Sequence, residues 1–111
     1  MCGDRNYSDA STILEALSEF SSDRVLIHGD CRGADRLGAA IGLRLGMKVK
    51  AYPADWKTHG RAAGPIRNRE MLRKGRPTVV LAFHKSLHTS RGTKDMVECA
   101  CRAGVDVVLI D

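Results

Sequence analysis

The sequence predicts an α/β fold, a three-layer sandwich in which helices cover both faces of a parallel sheet. Apolar strand-like segments alternate with segments of helical periodicity along all 111 residues, and most joints between them carry Gly, Pro or Asp. The strand-like segments are apolar on both faces, which is typical of buried parallel strands, and the intervening helices imply right-handed crossovers. A chain of this length fits one domain, residues 1–111.

Each predicted element has its own local signal. Residues 10–20 repeat apolar side chains at helical spacing, with Ser8 or Asp9 as the N-cap. A short buried strand at 24–27 and a second helix at 34–46 follow. The remaining predicted elements are, in order, an edge-like strand at 47–52, a helix at 64–75 with Pro65 in its first turn, an apolar strand at 77–83, a helix at 92–104 and a strand at 105–110.

The start of the chain leaves little room for a first strand. Only Met1 and Cys2 precede the loop at residues 3–9, so the first strand is expected to be short or vestigial. A Rossmann-like strand order of 3-2-1-4-5 would make this strand the central one.

Composition limits the function classes. Lys and Arg total 18 against 13 Asp and Glu, and the net charge of +5 favours anionic partners. No apolar stretch approaches the roughly 20 residues that span a bilayer, so no membrane partner is expected. No basic-then-apolar leader opens the chain, which predicts a cytoplasmic protein with free thiols at its four cysteines. Cys99 and Cys101 would point to different sides of a helix, and no metal or other cofactor is expected.

The segment HGDCRGAD, residues 28–35, joins a predicted strand to a predicted helix. Gly29 and Gly33 permit tight turns, and the helix that follows offers unpaired N–H groups and a partial positive charge, which together predict a phosphate cradle. Asp30 and Ala34 belong to the same loop, and Asp35 in the first helical turn is also explained by the helix dipole. A simple strand-to-helix turn remains the alternative.

Two further segments could contact an anion. Arg91, Gly92 and Thr93 repeat the combination of glycine, hydroxyl and cation at a helix start, although an N-cap role explains Thr93 nearly as well. Arg67 and Asn68 stand just inside a predicted helix, where a bidentate contact from arginine to phosphate or carboxylate is geometrically natural.

Taken in order, the motifs CGDRNYSD, VLIHGDCRGAD, YPADW, GPIRNREM, VVLAFH and RGTKDM run across nearly the whole chain. This combination resembles the YspA-like branch of the SLOG superfamily, which also contains the DNA-processing protein A family and the LONELY GUY phosphoribohydrolases. The resemblance implies a Rossmann-like domain from a bacterium or a phage. It also implies a nucleotide or a nucleotide-derived signal as the ligand and a role as a sensor module. Relatives in the superfamily commonly dimerise, so a homodimer is one alternative and the oligomeric state stays open.

Individual motif positions of the family match residues of this chain, and the resemblance implies that these residues belong to the site. The GDR segment, Gly3, Asp4 and Arg5, matches the first glycine loop of the superfamily and would lie against the ligand phosphate. The second loop matches at Gly29 to Asp35. Arg67, Asn68 and Met71 resemble the arginine-lysine-x-x-methionine helix of the phosphoribohydrolases, whose arginine takes part in catalysis, and Gly92 and Thr93 match their glycine-threonine pair.

The sequence departs from the phosphoribohydrolase pattern at its catalytic acid. Met96 stands where that signature has glutamate, and Asp95 is one residue out of register, which rotates it by about 100° on a helix. Glu70, Asp30 or Glu98 could in principle substitute. The leading hypothesis is therefore a nucleotide-binding module. A nucleotide N-glycosidase is the alternative, and single-stranded DNA binding is the weakest, because only two Phe, two Tyr and one Trp could stack on bases.

Overall fold

The computed structural model describes residues 1–84 and 91–110. Strands and helices alternate through these residues, as the sequence predicts. In chain order they are β1 (Cys2–Gly3), α1 (Ala10–Ser18), β2 (Val25–His28), α2 (Ala34–Arg44), β3 (Lys48–Ala51), α3 (Trp56–His59), a 3-10 turn (Gly60–Ala62), α4 (Ala63–Gly75), β4 (Val79–Phe83), α5 (Arg91–Arg102) and β5 (Asp106–Ile110).

The strands form parallel ladders in two groups. One sheet has the order β1-β4-β5 and the other pairs β2 with β3. The predicted α/β class with parallel strands is thus confirmed. The complete order 3-2-1-4-5 is not confirmed and stays a prediction, because no ladder joins β1 to β2 within residues 1–84 and 91–110. The amino group of Met1 donates a hydrogen bond to the Ile27 carbonyl at 2.9 Å, which links the two groups.

The first strand is as short as the sequence predicts. Cys2 and Gly3 pair with Ala82 and Phe83, and the ladder ends there. A cavity of about 410 Å³ lies beside Met1, and its lining includes apolar residues of β2 and β4.

The core has two parts, one on each side of β4. Leu81 and Phe83 pack in a cluster with residues of α1 and α2, whereas Val80 and Ala82 pack with residues of α4 and α5. Because successive side chains of a strand point to opposite faces, this alternation places helices on both sides of β4.

Local signals explain where most helices begin and end. The Asp9 side chain caps α1 by accepting from the Thr12 amide at 3.1 Å, which confirms one of the two predicted caps. Pro65 lies in the first turn of α4, and Gly75 ends it, as predicted. The α3 helix was not predicted, because four residues are too few to show periodicity. None of the helices described here is long and apolar enough to cross a membrane.

Candidate functional site

A cleft of about 710 Å³ opens where the loops leave the carboxyl ends of the strands. Parallel sheets commonly place ligands at this edge. The described residues that line it are Cys2, Gly3, Asp4, Arg5, Asn6, Cys31, Arg32, Asp35, Trp56, Arg61, Gly64, Pro65, Arg67, Asn68, Met71, Arg91, Gly92 and Thr93.

The cleft brings together most of the predicted site residues from four separate segments. Those in its lining are Gly3, Asp4, Arg5, Asp35, Arg67, Asn68, Arg91, Gly92 and Thr93. The other four, Gly29, Asp30, Gly33 and Ala34, are not part of the lining that the described residues form. Ser90, which precedes the predicted Arg91, Gly92 and Thr93 motif in the sequence, lies outside the described residues.

The second loop is closed on itself by hydrogen bonds. One carboxylate oxygen of Asp35 accepts from the amides of Gly29 at 2.9 Å and Cys31 at 3.3 Å, and His28 Nδ1 accepts from the Asp30 amide at 3.0 Å. Burial raises the pKa of Asp35, and burial also lowers the pKa of His28. The amides of Gly29, Asp30 and Cys31 are therefore paired within the protein.

The first loop presses against the start of α2. Gly33 has a φ of +81°, and a Cβ built there would overlap the backbone carbonyls of Asp4 and Arg5. The Ala34 amide donates to the Asp4 carbonyl at 3.1 Å. Asp30, with a φ of +57°, lies in an exposed ion pair with Arg36 at 3.6 Å. Gly33 thus serves the contact between two loops, and Asp30 is not part of the described lining of the cleft.

Arg67 is buried beneath the cleft, with 7% of the residue exposed. Its Nη1 donates to the Gly29 carbonyl at 2.5 Å and to the Tyr52 carbonyl at 3.5 Å, and its Nε donates to Asn68 Oδ1 at 2.9 Å. Its guanidinium nitrogens Nη1 and Nη2 also lie 3.8 and 3.9 Å from Cys31 Sγ. The guanidinium therefore joins α4 to the ends of β2 and β3.

Asn68 joins α4 to α5. Its Nδ2 donates to the Gly92 carbonyl at 3.2 Å and to Asp95 Oδ2 at 3.0 Å, while its Oδ1 accepts from Arg67. With 2% exposure, Asn68 uses both ends of its amide in this network. The network fixes the first turn of α5, which carries Arg91, beside the cleft.

Cations dominate the open side of the cleft. Arg5, Arg32, Arg61 and Arg91 are exposed in its lining, with Arg67 below them. Among the described lining residues the acids are Asp4 and Asp35. Asp4 accepts from the Asn6 amide at 3.0 Å, and its other carboxylate oxygen lies 3.7 Å from Nε2 of the buried His84. An anion entering the cleft would meet more arginines than carboxylates.

The predicted substitutes for the catalytic glutamate lie elsewhere. Met96 is 2% exposed in the core. Glu70 and Glu98 form ion pairs with Lys74 and Arg102 on exposed helix faces, and neither glutamate is in the described lining. Within the described part of the chain, no group of three His, Cys, Asp or Glu side chains is placed to hold a metal ion.

Nine residues of the described lining were not among the predicted site residues, and the three with the largest exposed cationic or aromatic side chains are Arg32, Arg61 and Trp56. Trp56 is 47% exposed, and it begins the unpredicted helix α3. Trp56 could have been predicted as a site residue from its position after a predicted strand, at the same edge of the sheet as the glycine loops.

Comparison with known proteins agrees with the resemblance seen in the motifs. The sequence model of the YspA, cpYpsA-related SLOG family matches residues 1–59, which carry the first two loops and Trp56. The gene 61 protein of Mycobacterium phage D29 is 36% identical over 115 aligned residues, covering 96% of this chain and 90% of the phage protein. No solved structure matches the chain. The family match and this identity together show that the chain belongs to the YspA, cpYpsA-related SLOG family.

Proposed function

We propose that the cleft binds a nucleotide or a nucleotide-derived ligand that carries phosphate, and that the domain acts as a small-molecule-binding module. The observation that carries this proposal is the set of five arginines around one cleft, at the edge of the fold where parallel strands end. Membership of the SLOG family supports a nucleotide-related ligand.

The arginines divide into two groups with different roles. Arg67 is buried and satisfied by protein acceptors, so it holds the floor of the cleft and adds positive charge from below. The other four are exposed, and their guanidinium groups can make bidentate contacts with phosphate oxygens; they are Arg5, Arg32, Arg61 and Arg91. The exposed group is the one that we expect to contact the ligand.

Binding is proposed in preference to N-glycosidic cleavage. Cleavage by the phosphoribohydrolase pattern needs an acid where Met96 lies, and Met96 is buried in the core among α4 and α5 residues. Asp95 accepts a hydrogen bond from Asn68, which turns its carboxylate toward α4. Neither residue offers a carboxyl group in the described lining of the cleft.

Isothermal titration at low salt tests the proposal, with adenosine, adenosine monophosphate and adenosine triphosphate as ligands. We expect the phosphorylated compounds to bind more tightly than adenosine and to bind more weakly as salt is added. Arg91→Ala should weaken binding about tenfold or more, because a charge-assisted hydrogen bond is lost. Arg73→Ala is the matched control, since Arg73 is exposed in the last turn of α4 and is not in the described lining.

Two outcomes would overturn the proposal. The first is that no phosphorylated nucleotide binds the wild-type protein. The second is that single-stranded DNA binds much more tightly than any mononucleotide and that Arg91→Ala leaves this affinity unchanged. Chromatography of the same mixtures shows whether free base is released. Base release would show that the domain is an enzyme and not only a binding module.

A further inference from the structure

Trp56 is the one tryptophan of the chain, and it lies in the lining of the cleft with 47% of the residue exposed. Most other apolar side chains near the cleft are covered; Met71, for example, is 1% exposed. A large aromatic ring that is exposed in a concave site offers flat apolar contact area to a ligand, and leaving this area in water is unfavourable. Packing of the hydrophobic core does not explain why this ring lies exposed in the cleft.

The position of the ring is fixed by its surroundings. Asp55 caps α3 by accepting from the Thr58 amide at 3.2 Å, and hydrogen bonds from Thr58 lower the pKa of Asp55. A Cβ built on Gly64 would lie 3.5 Å from Trp56 Cη2, so the edge of the indole rests close to the start of α4. The ring is thus held at the rim by α3 and α4 while much of its surface stays open.

One arginine lies against the ring, and others line the same cleft. The guanidinium carbon of Arg5 lies 5.7 Å from the centroid of the Trp56 ring, within the range of a cation–π contact. Arg5 is exposed, so its guanidinium can move to cover a planar group that lies on the indole. Arg61 and Arg91 share the same lining. An aromatic surface beside several guanidinium groups matches a ligand with a flat base at one end and phosphate at the other.

Resting on the proposed function, we infer that Trp56 is the stacking platform for the nucleobase, with the ligand phosphate directed toward Arg91 and Arg61. The ligand is then a base-bearing nucleotide, with a purine favoured by its larger overlap, and not a bare sugar phosphate. The volume of about 710 Å³ falls within the range of small-molecule sites. Trp56 sets the preference for the base, while the arginines supply affinity for phosphate.

Fluorescence and calorimetry test this assignment. Since Trp56 is the chain's one tryptophan, its emission reports on the platform alone. We expect guanosine or adenosine monophosphate to change the emission and ribose 5-phosphate to change it much less. By calorimetry, Trp56→Leu should lower the preference for the nucleotide over ribose 5-phosphate by about 5- to 150-fold, the usual effect of losing a base-aromatic stack. Trp56→Phe, which keeps a smaller ring, should retain most of the preference.

The outcomes separate this inference from the proposed function. If nucleotides bind and Trp56→Leu keeps the full preference for the base, the inference is wrong and the proposed function stands. If no phosphate compound binds the wild-type protein, both are wrong. If the emission changes with protein concentration and sedimentation shows a dimer that buries the indole, Trp56 belongs to an interface and the inference is also wrong. Thermal melts of both variants confirm folding, since an exposed ring contributes little to the core.

Discussion

The guanidinium of Arg67 fills the space beside Gly29 in which a side chain would otherwise lie. Its Nη1 donates to the Gly29 carbonyl at 2.5 Å, and a Cβ built on Gly29 would overlap the guanidinium. Gly29 therefore provides room for an arginine that reaches it from α4. This contact ties the end of β2 to α4 directly beneath the cleft.

Gly29→Ala should destabilise the protein, because the methyl group forces Arg67 away from its acceptors. We expect a loss of about 1–3 kcal/mol in the free energy of unfolding, as for other overpacked sites. Gly92→Ala is the matched control, because no described atom lies within 4 Å of a Cβ built there. Its change should stay below about 1 kcal/mol, since alanine favours a helix. Urea denaturation of both variants measures the difference, and equal losses would contradict the assigned contact.

Arg67 should contribute more to stability than any exposed arginine of the cleft. Arg67→Ala leaves the Gly29 carbonyl and the Asn68 amide oxygen without their buried donor, which should cost about 2–4 kcal/mol. Arg67→Lys should recover part of this loss, because an ammonium group can reach one acceptor but not both. Arg91→Ala should cost little stability while weakening nucleotide binding. If the Arg67→Ala variant unfolds at the same urea concentration as the wild type, the hydrogen bonds of Arg67 do not contribute to stability.

Asn68 and Asp95 should be exchangeable as a pair. Asn68→Asp places a second carboxylate against Asp95 Oδ2, where an amide nitrogen now donates at 3.0 Å, and we expect a loss of about 2 kcal/mol or more at pH 7. Adding Asp95→Asn restores one donor and one acceptor and should recover much of that loss. Denaturation of the two single variants and the double variant forms a thermodynamic cycle. A double variant no more stable than Asn68→Asp alone would rule out a direct interaction.

The fold was accessible from the sequence because its signals are local. Asp9 as a cap and Gly75 as a helix end follow from residue chemistry within one turn. Strand order depends on contacts between distant segments. The link between the two sheets is made by a main-chain group, the amino group of Met1 on the Ile27 carbonyl, which no side-chain pattern reveals.

Stability should fall in mild acid because of His28. Burial is the main cause that lowers its pKa, opposed by the carboxylates of Asp35 and Asp30, and its Nδ1 must stay unprotonated to accept from the Asp30 amide. The folded state therefore prefers neutral His28. Its contribution is complete above the ordinary value of 6.5 and is lost as pH falls through the lowered pKa.

Unfolding free energies between pH 8 and pH 5 measure this effect, with His28→Asn as the comparison, since an asparagine oxygen can accept without being protonated. The difference between the two proteins isolates His28 from Asp35, whose raised pKa acts in the opposite direction because its protonation favours the folded state. Parallel curves for the two proteins would show that His28 does not titrate with unfolding.

The candidate site was only partly accessible from the sequence. The sequence predicts Gly29 and Gly33 as glycines that permit tight turns and close approach to a phosphate. In the structure the guanidinium of Arg67 lies beside Gly29 and the first-loop backbone lies beside Gly33. Neither contact could be predicted from local patterns, because the residues that form each contact are far apart in the sequence. Trp56 was missed for a related reason, because its place in the cleft depends on how α3, which it begins, packs near the start of α4.

Nitrogen-15 chemical-shift mapping with adenosine monophosphate is the most direct test of a nucleotide site in the arginine-lined cleft. We predict that the largest shifts fall on the amides of residues 3–6, on Arg91 to Thr93 and on the Trp56 indole, while residues 75–79 beside the other cavity change little. Shifts concentrated at residues 75–79, or no saturable shifts at millimolar nucleotide, would contradict it.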